Sequence, residues 1–259
     1  MATKPISPTL KKYLDTKKKP TLMIGPIERY LMGQPREPRS TTVLHPSEFT
    51  KPNWCPREGW FLLVGQEKVD DGHGLQMLSI FEEGHGIHEK WQRWASAAGI
   101  LHSAESPVSY PPFRVEGNAD GILMIGEGAQ PSVGFGLEPV LLEIKSIGMG
   151  TLRMNRFPVD GGLAQSFRRI TRPFNDHIRQ ATFYSWVLRR SLWPDMNRIL
   201  FLYECKEDQA AREFVVTYNE EYIEVALEKL ESLFPKEDGV LVATPPRCTN
   251  GSGCICERY

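Results

Sequence analysis

No apolar run in this sequence approaches the ~18 residues that a membrane-crossing helix needs, so no membrane partner is expected. The opening stretch, MATKPISPTLKKYLDTKKKP, lacks the apolar segment of a secretory leader. A cytoplasmic or intracellular protein is expected. Cysteine is scarce, with five residues in 259, which excludes a disulfide-dense scaffold. In a chain without an export signal these thiols are expected to be reduced or metal-bound. Net charge is nearly absent at -1, so bulk charge argues neither for nor against a polyanionic partner. What remains is 41% hydrophobic and 24% charged residues, a globular composition in a chain long enough to bury a core. Wholly disordered and fibrous classes are thereby excluded.

The charge that is present is unevenly placed. Residues 1–40 hold nine Lys/Arg against three Asp/Glu, and residues 153–190 hold eight Arg against two Asp. Residues 204–238 hold eleven Asp/Glu against four Lys/Arg. Two basic blocks and one acidic block predict a polarised surface, although each alone also reads as solvated charge.

Residues 1–43, rich in Lys, Pro and Thr, read as a basic N-terminal arm, and residues 44–259 as the folded domain. Ser47 is a candidate cap for a helix running to Leu63, interrupted at Pro52 and Pro56. Residues 74–101 place Leu78, Phe81, Ile87, Trp91, Trp94 and Ile100 at helical spacing. FRVEGNADGILMIG predicts strand, turn and strand, and GEGAQPSVGFGLEP a loop. PVLLEIKSI predicts a third strand, residues 148–173 a loose Gly/Arg-rich stretch, and PFNDHIRQATFYSWVLRRSLW an amphipathic helix. RILFLYECK and REFVVTY predict strands, NEEYIEVALEKLESLF an acidic helix, and the last residues an irregular tail that needs a tie. This order predicts an α/β fold with a mixed central sheet flanked by helices.

Chemistry concentrates on Glu143-Ile144-Lys145. Alternation along a strand puts Glu143 and Lys145 on one face and Ile144 in the core. A carboxylate there can hold a hard divalent cation while the ammonium orients a water, although a surface ion pair is the common reading of E-x-K. Asp120, in Gly117-Asn118-Ala119-Asp120-Gly121, converges with Glu143 on one cation if the two strands are neighbours. N-A-D-G is otherwise a turn signal. His88 faces the sheet if Ile87 and Trp91 set the helix orientation, and its imidazole suits Mn²⁺; His85 and Glu89 are alternatives on the same turn. Gln180 and Tyr184 stand at i and i+4 of a helix that also carries Arg179, Arg189 and Arg190, groups suited to phosphates and bases. Phe167, Phe174 and Tyr184 are candidate base-stacking rings.

The ordered set G-x-x-x-H, G-x-x-D, E-x-K and Q-x-x-x-Y resembles the RecB-like branch of the PD-(D/E)xK nuclease superfamily. The resemblance runs from about residue 45 to the C-terminus and implies a restriction-endonuclease-like sheet. It implies that His88, Asp120, Glu143 and the carbonyl of Ile144 hold Mg²⁺ or Mn²⁺. It further implies that Lys145 assists the attacking water and that Gln180 and Tyr184 lie beside DNA, where Arg179 of the same basic helix is also expected. His45-Pro46-Ser47-Glu48-Phe49 followed by Cys55-Pro56-Arg57 resembles the opening of the CRISPR-associated and AddB-type iron–sulfur exonucleases. In those proteins one early and three late cysteines hold a 4Fe–4S cluster. Cys55 with Cys248, Cys254 and Cys256 has that one-plus-three layout, spaced C-x5-C-x-C at its end where the family has C-x2-C-x5-C. Four thiolates equally suit structural zinc. Cys205, in an apolar strand, reads as an inert core thiol. The function implied is a metal-dependent DNA exonuclease favouring single strands or ends, with replication, recombination or repair proteins as partners. The alternative is an inert DNA-binding or complex-building module of the same fold.

Overall fold

A computed structural model describes residues 22–33, 42–66, 74–126, 137–248 and 250–259. Most of the basic arm expected over 1–43, and the core of the loop expected over 126–139, lie outside these residues. The chain divides into two compact units, Met1–Pro38 with Asp71–Phe81 and Arg39–Asp70 with Glu82–Tyr259. The first contains α1 (Ile24–Gly33), an amphipathic helix in a stretch read as an arm. The second contains the sheet and every site discussed below.

α2 (Pro46–Phe49) and α3 (Pro56–Leu63) each begin on a proline. Proline fits a first helical turn because its fixed φ matches the helix and its missing N–H has no intrahelical partner there. Pro56 therefore starts a helix instead of interrupting one, and His45, not Ser47, holds the N-cap of α2. α4 (Leu75–Ala97) runs unbroken through Gly84 and Gly86.

The sheet has five strands in the order β1-β2-β3-β4-β5, namely β1 (Leu101–Tyr110), β2 (Val115–Ile125), β3 (Glu138–Ile147), β4 (Arg198–Cys205) and β5 (Ala211–Thr217). Only β3 and β4 are parallel. Parallel neighbours need a long crossover. Here it carries α5 (Met149–Met154), α6 (Leu163–Arg168) and α7 (Asn175–Arg189), so the stretch read as loose contains two short helices. α8 (Glu224–Leu233) buries Ala226, Leu230 and Leu233 on one side and leaves its acids outside.

The structure corrects the hairpin expected at N-A-D-G. β2 runs straight through Asn118, Ala119, Asp120 and Gly121, and its partner is the unanticipated β1. Gly121 is required for close approach, not for a turn, since a Cβ there would stand 3.0 Å from the Ser103 carbonyl oxygen.

β3 is buried on both sides. Leu141 joins the larger core with Phe183 of α7 and Phe201 and Tyr203 of β4. Val140, Leu142 and Ile144 join a second cluster with Ile87, against which Trp91 of α4 packs. Two-sided burial explains the near-continuous apolar run of PVLLEI. Cys205 is fully buried in the larger core, as its strand implied. No described helix is long and apolar enough to cross a membrane.

Candidate functional site

The site forms where two strands part. β2 and β3 pair from Ile125↔Glu138 to Gly121↔Leu142, and no rung joins Asp120 to Glu143. At the opening, Asp120 takes the place of the missing rung: the backbone N–H of Ile144 donates to Asp120 Oδ2 at 2.6 Å. The strand end would otherwise leave a buried N–H unpaired. A carboxylate is thus fixed beside the face that carries Glu143.

Glu143 is 1% exposed, and Lys145 Nζ lies 2.5 Å from its Oε1. Its other oxygen, Oε2, is buried with no hydrogen-bond partner. Burial pushes the Glu143 carboxyl up to about 7; Lys145 opposes the rise and Asp120 adds to it. Burial opposes the Lys145 charge, yet Glu143 and Asp120 together raise its pKa, so the amine remains an ammonium. Lys145 Nζ also donates to Gln180 Oε1 at 3.3 Å, and Gln180 Nε2 donates to the Tyr184 hydroxyl at 3.2 Å. The i and i+4 spacing on α7 therefore builds a relay that ends on the ammonium.

His88 reaches the same place from α4. Its Nδ1 lies 3.3 Å from Asp120 Oδ1. Burial works against an imidazolium, but the bond to Asp120 and its charge raise the His88 pKa overall. Ile87 is buried and Trp91 packs beside it, which sets the helix so that His88 faces inward while His85 and Glu89 are exposed. Gln92, one helical turn beyond His88, donates to the Asp120 carbonyl at 2.8 Å. Its role was not anticipated, although i+4 spacing from His88 marks it.

Other expectations are corrected. Phe167 is fully buried and Tyr184 is 4% exposed, so neither presents a ring face for base stacking, whereas Phe174, 8% exposed, lines the groove at the start of α7. Arg189 packs over Tyr218 and donates to the Met196 carbonyl. Arg190 lies over Trp186, 3.9 Å from the ring centroid, and pairs with Glu220. Both serve local structure. Arg179, held by Asp176 at 2.7 Å, lines an open groove of about 870 Å³ at the start of α7, together with Lys51, Arg156 and Arg172.

No family model and no curated protein matches this chain. Solved structures similar to it include the following two. One is an alkaline exonuclease, LHK-Exo, from Laribacter hongkongensis, with 10% identity, 77% of this chain and 89% of that chain covered, and a TM-score of 0.48. The other is SSO0001, with 14% identity, 96% and 94% covered, and a TM-score of 0.40.

A second cluster closes the C-terminus. One sulfur from each of Cys55, Cys248, Cys254 and Cys256 lies within 4.8 Å of all the others. Cys55 occupies the N-cap of α3, while Cys254 and Cys256 flank the start of a 3-10 turn, Ile255–Arg258. Cys55 and Cys248 sulfurs are 3.8 Å apart. That is the edge of a tetrahedron with metal–sulfur bonds of ~2.3 Å. Burial opposes the Cys254 thiolate, but the backbone N–H of Cys256 and the neighbouring thiols bring it down to about 7. Trp54 and Trp60 pack inward near this cluster, Trp54 at 6% exposure and Trp60 through a hydrogen bond from Nε1 to the Val242 carbonyl at 2.9 Å.

Proposed function

We propose that this protein is a metal-dependent DNA nuclease, with exonuclease action on single strands or ends as the form its family resemblance implies. The observation that carries this reading is the buried, unpartnered Oε2 of Glu143 beside the Asp120 carboxylate and the Lys145 ammonium. An orphaned buried carboxylate oxygen is destabilising unless something binds it. Its oxygen and imidazole surroundings suit a hard divalent cation. Glu143, Asp120, His88 and the Ile144 carbonyl would hold Mg²⁺ or Mn²⁺, which when bound activates water and neutralises charge on a phosphodiester.

The chain's own groups supply the rest. Lys145 stays protonated, so it acts as a donor and not as a general base. Its Nζ, tethered by Glu143 and Gln180, orients the attacking water and stabilises charge that develops on the phosphate oxygens. Tyr184 acts through Gln180, not on DNA, because its ring is buried. The groove of Lys51, Arg156, Arg172 and Arg179 presents four cations against Asp176, which suits the phosphate backbone.

The four cysteines form a thiolate metal centre that fastens the tail to α3. The family resemblance implies 4Fe–4S, whereas the 3.8 Å contact fits a single tetrahedral zinc. Visible absorption of anaerobically purified protein decides between them, since an iron–sulfur cluster absorbs near ~400 nm and zinc is colourless.

Cleavage of a labelled oligonucleotide in Mg²⁺ or Mn²⁺ tests the nuclease reading. Wild-type protein is expected to cut, and Glu143→Ala and Lys145→Ala to lose about two orders of magnitude or more. Equal activity in all three overturns it, and binding without cleavage in either metal favours an inert DNA-binding module.

A further inference from the structure

α4 meets the sheet along three stripes. Ile87 and Trp91 form the middle one, packed with Leu142, Ile144 and Leu202. His88 and Gln92 lie on one flank and reach Asp120 of β2 through its carboxylate and its carbonyl. Glu83 and Lys90, seven residues apart and so on one side of the helix, lie on the other flank and reach Lys206 and Glu204 at the end of β4. The middle stripe is thin. From Glu82 to Ala97, the part of α4 in the same unit as the sheet, Ile87 alone is buried. So narrow an apolar seam holds the helix down but does not fix its rotation about its own axis. At the ~5–6 Å radius of a helix with its side chains, a roll of ~20° moves a side-chain tip by about 2 Å. Such a roll would carry His88 away from Asp120, where its Nδ1 stands 3.3 Å from Oδ1.

The β4 flank carries a buried charge pair. Glu204 is 1% exposed. Lys90 Nζ donates to both of its carboxylate oxygens at 2.6 Å, and Trp91 Nε1 donates to Oε2 at 2.5 Å. The Lys90 ammonium also lies 5.6 Å and 5.5 Å from the ring centroids of Trp91 and Trp94. Nearer the start of the helix, Lys206 Nζ donates to Glu83 at 3.0 Å. By alternation along β4, Glu204 shares its face with Leu202, and apolar residues of similar volume would stabilise that face as well or better than an ion pair. What the pair adds is direction, since charge-assisted bonds admit one placement of the helix where an apolar contact admits many. Glu204 stands opposite Ser146 in the parallel β3–β4 pair. The pair therefore ties α4 to the same strand register that carries Glu143 and Lys145.

We propose that Glu204 is a positioning residue of the sheet site: through Lys90 and Trp91 it fixes the rotation of α4 and so places His88 against Asp120. The inference rests on the proposed function, because the group being placed is a cation ligand there. Glu204 is not itself such a ligand. It faces α4, whereas Glu143 and Lys145 face α7. Its removal acts on the site through His88 and Gln92, and leaves the groove of Lys51, Arg156, Arg172 and Arg179 as it is.

The test compares full-length wild type with Lys90→Met/Glu204→Met, which removes both charges at similar volume. Without metal, the double variant should melt close to wild type or above it. Its Mn²⁺ affinity without DNA, read from the free-ion paramagnetic resonance signal, should fall by roughly tenfold to a hundredfold. On a labelled oligonucleotide at sub-saturating Mn²⁺, kcat should fall while KM for the oligonucleotide stays near its wild-type value. Lys90→Arg keeps the ion pair and should keep the wild-type Mn²⁺ affinity. A double variant that binds Mn²⁺ and cleaves like wild type overturns the inference and leaves the proposed function standing. One that melts far below wild type also overturns it, since the pair would then be there for stability and not for placement. If wild type neither takes up Mn²⁺ nor cleaves, the proposed function fails and the inference with it.

Discussion

The two clusters differ in what holds them. At the parting of β2 and β3, each polar group is fixed by another group that the fold supplies: Asp120 by the Ile144 N–H, Lys145 by Gln180, and Gln180 by Tyr184. The four thiols have far less. Cys55 and Cys248 face each other at 3.8 Å, and Cys254 accepts from Asn250 at 3.8 Å in a tail whose one regular element is a short 3-10 turn. The first cluster is preorganised by the sheet. On the proposed reading a metal would organise the second, beside the Asn250–Asn53 and Gln66–Tyr259 hydrogen bonds and the Phe61–Tyr259 stack that also hold that end of the chain.

The largest effect that would sharpen this contrast is loss of the metal proposed for the four thiols. Cys254→Ser, or exhaustive chelation, is expected to free residues 243–259 and lower the melting temperature by on the order of 10 °C. Limited proteolysis should then cut first within that tail. Glu143→Gln should leave the proteolytic pattern unchanged. If both variants give the wild-type pattern, the tail is held by packing, and the distinction between the two clusters disappears.

The same contrast governs what the sequence reveals. Glu143 and Lys145 were legible because alternation along a strand does not depend on which strands pair. His88 followed from the helical period of Ile87 and Trp91, and the shared face of Gln180 and Tyr184 from i+4 spacing, although their link to Lys145 did not. The grouping of Cys55 with the three late cysteines came from the family resemblance, and thiol chemistry alone gave only reduced or metal-bound thiols. β1 was not legible, because it is an edge strand that buries only Ser106 and Val108. Its hydrophobic signal is too weak to show. Asn118, Asp120 and Gly121 misled for a related reason. They are turn formers locally, and only the arrival of β1 across Gly121 makes them a strand. The arginines of α7 misled through composition, since charge counts do not reveal that Arg189 and Arg190 are already engaged by Tyr218, Trp186 and Glu220.

A second test acts on the sheet cluster itself. Lys145→Met removes the partner of a buried carboxylate, and breaking such a pair costs about 3–5 kcal/mol. Chemical denaturation of the metal-free protein should show that loss, whereas Glu143→Gln/Lys145→Met should recover most of it. Added Mg²⁺ should also restore part of the stability of Lys145→Met by supplying the missing positive charge. A double variant no more stable than Lys145→Met would mean that Glu143 and Lys145 are not energetically coupled, and preorganisation would have to come from elsewhere.

The smallest effect concerns the wall behind Lys145. Tyr203 pairs with Lys145 across the parallel strands, and its hydroxyl accepts the Phe174 N–H at 2.9 Å. Its own proton is therefore free to go to His177 Nδ1, 2.5 Å away, which puts the imidazole proton on Nε2. Burial, aided by the Lys145 charge, pushes the His177 pKa well below 6.5, so the ring is neutral in the folded protein. Unfolded chains bind a proton at this position below about pH 6.5, and folded ones do not until much lower. Stability from this group is complete above that pH and declines below it, by about 1.4 kcal/mol for each further pH unit until the folded ring protonates. His177→Gln should flatten that part of the stability–pH curve without shifting the proteolytic pattern of the tail. An unchanged slope would show that the ring is already protonated beside the ammonium, and the neutral wall assigned to the sheet cluster would be wrong.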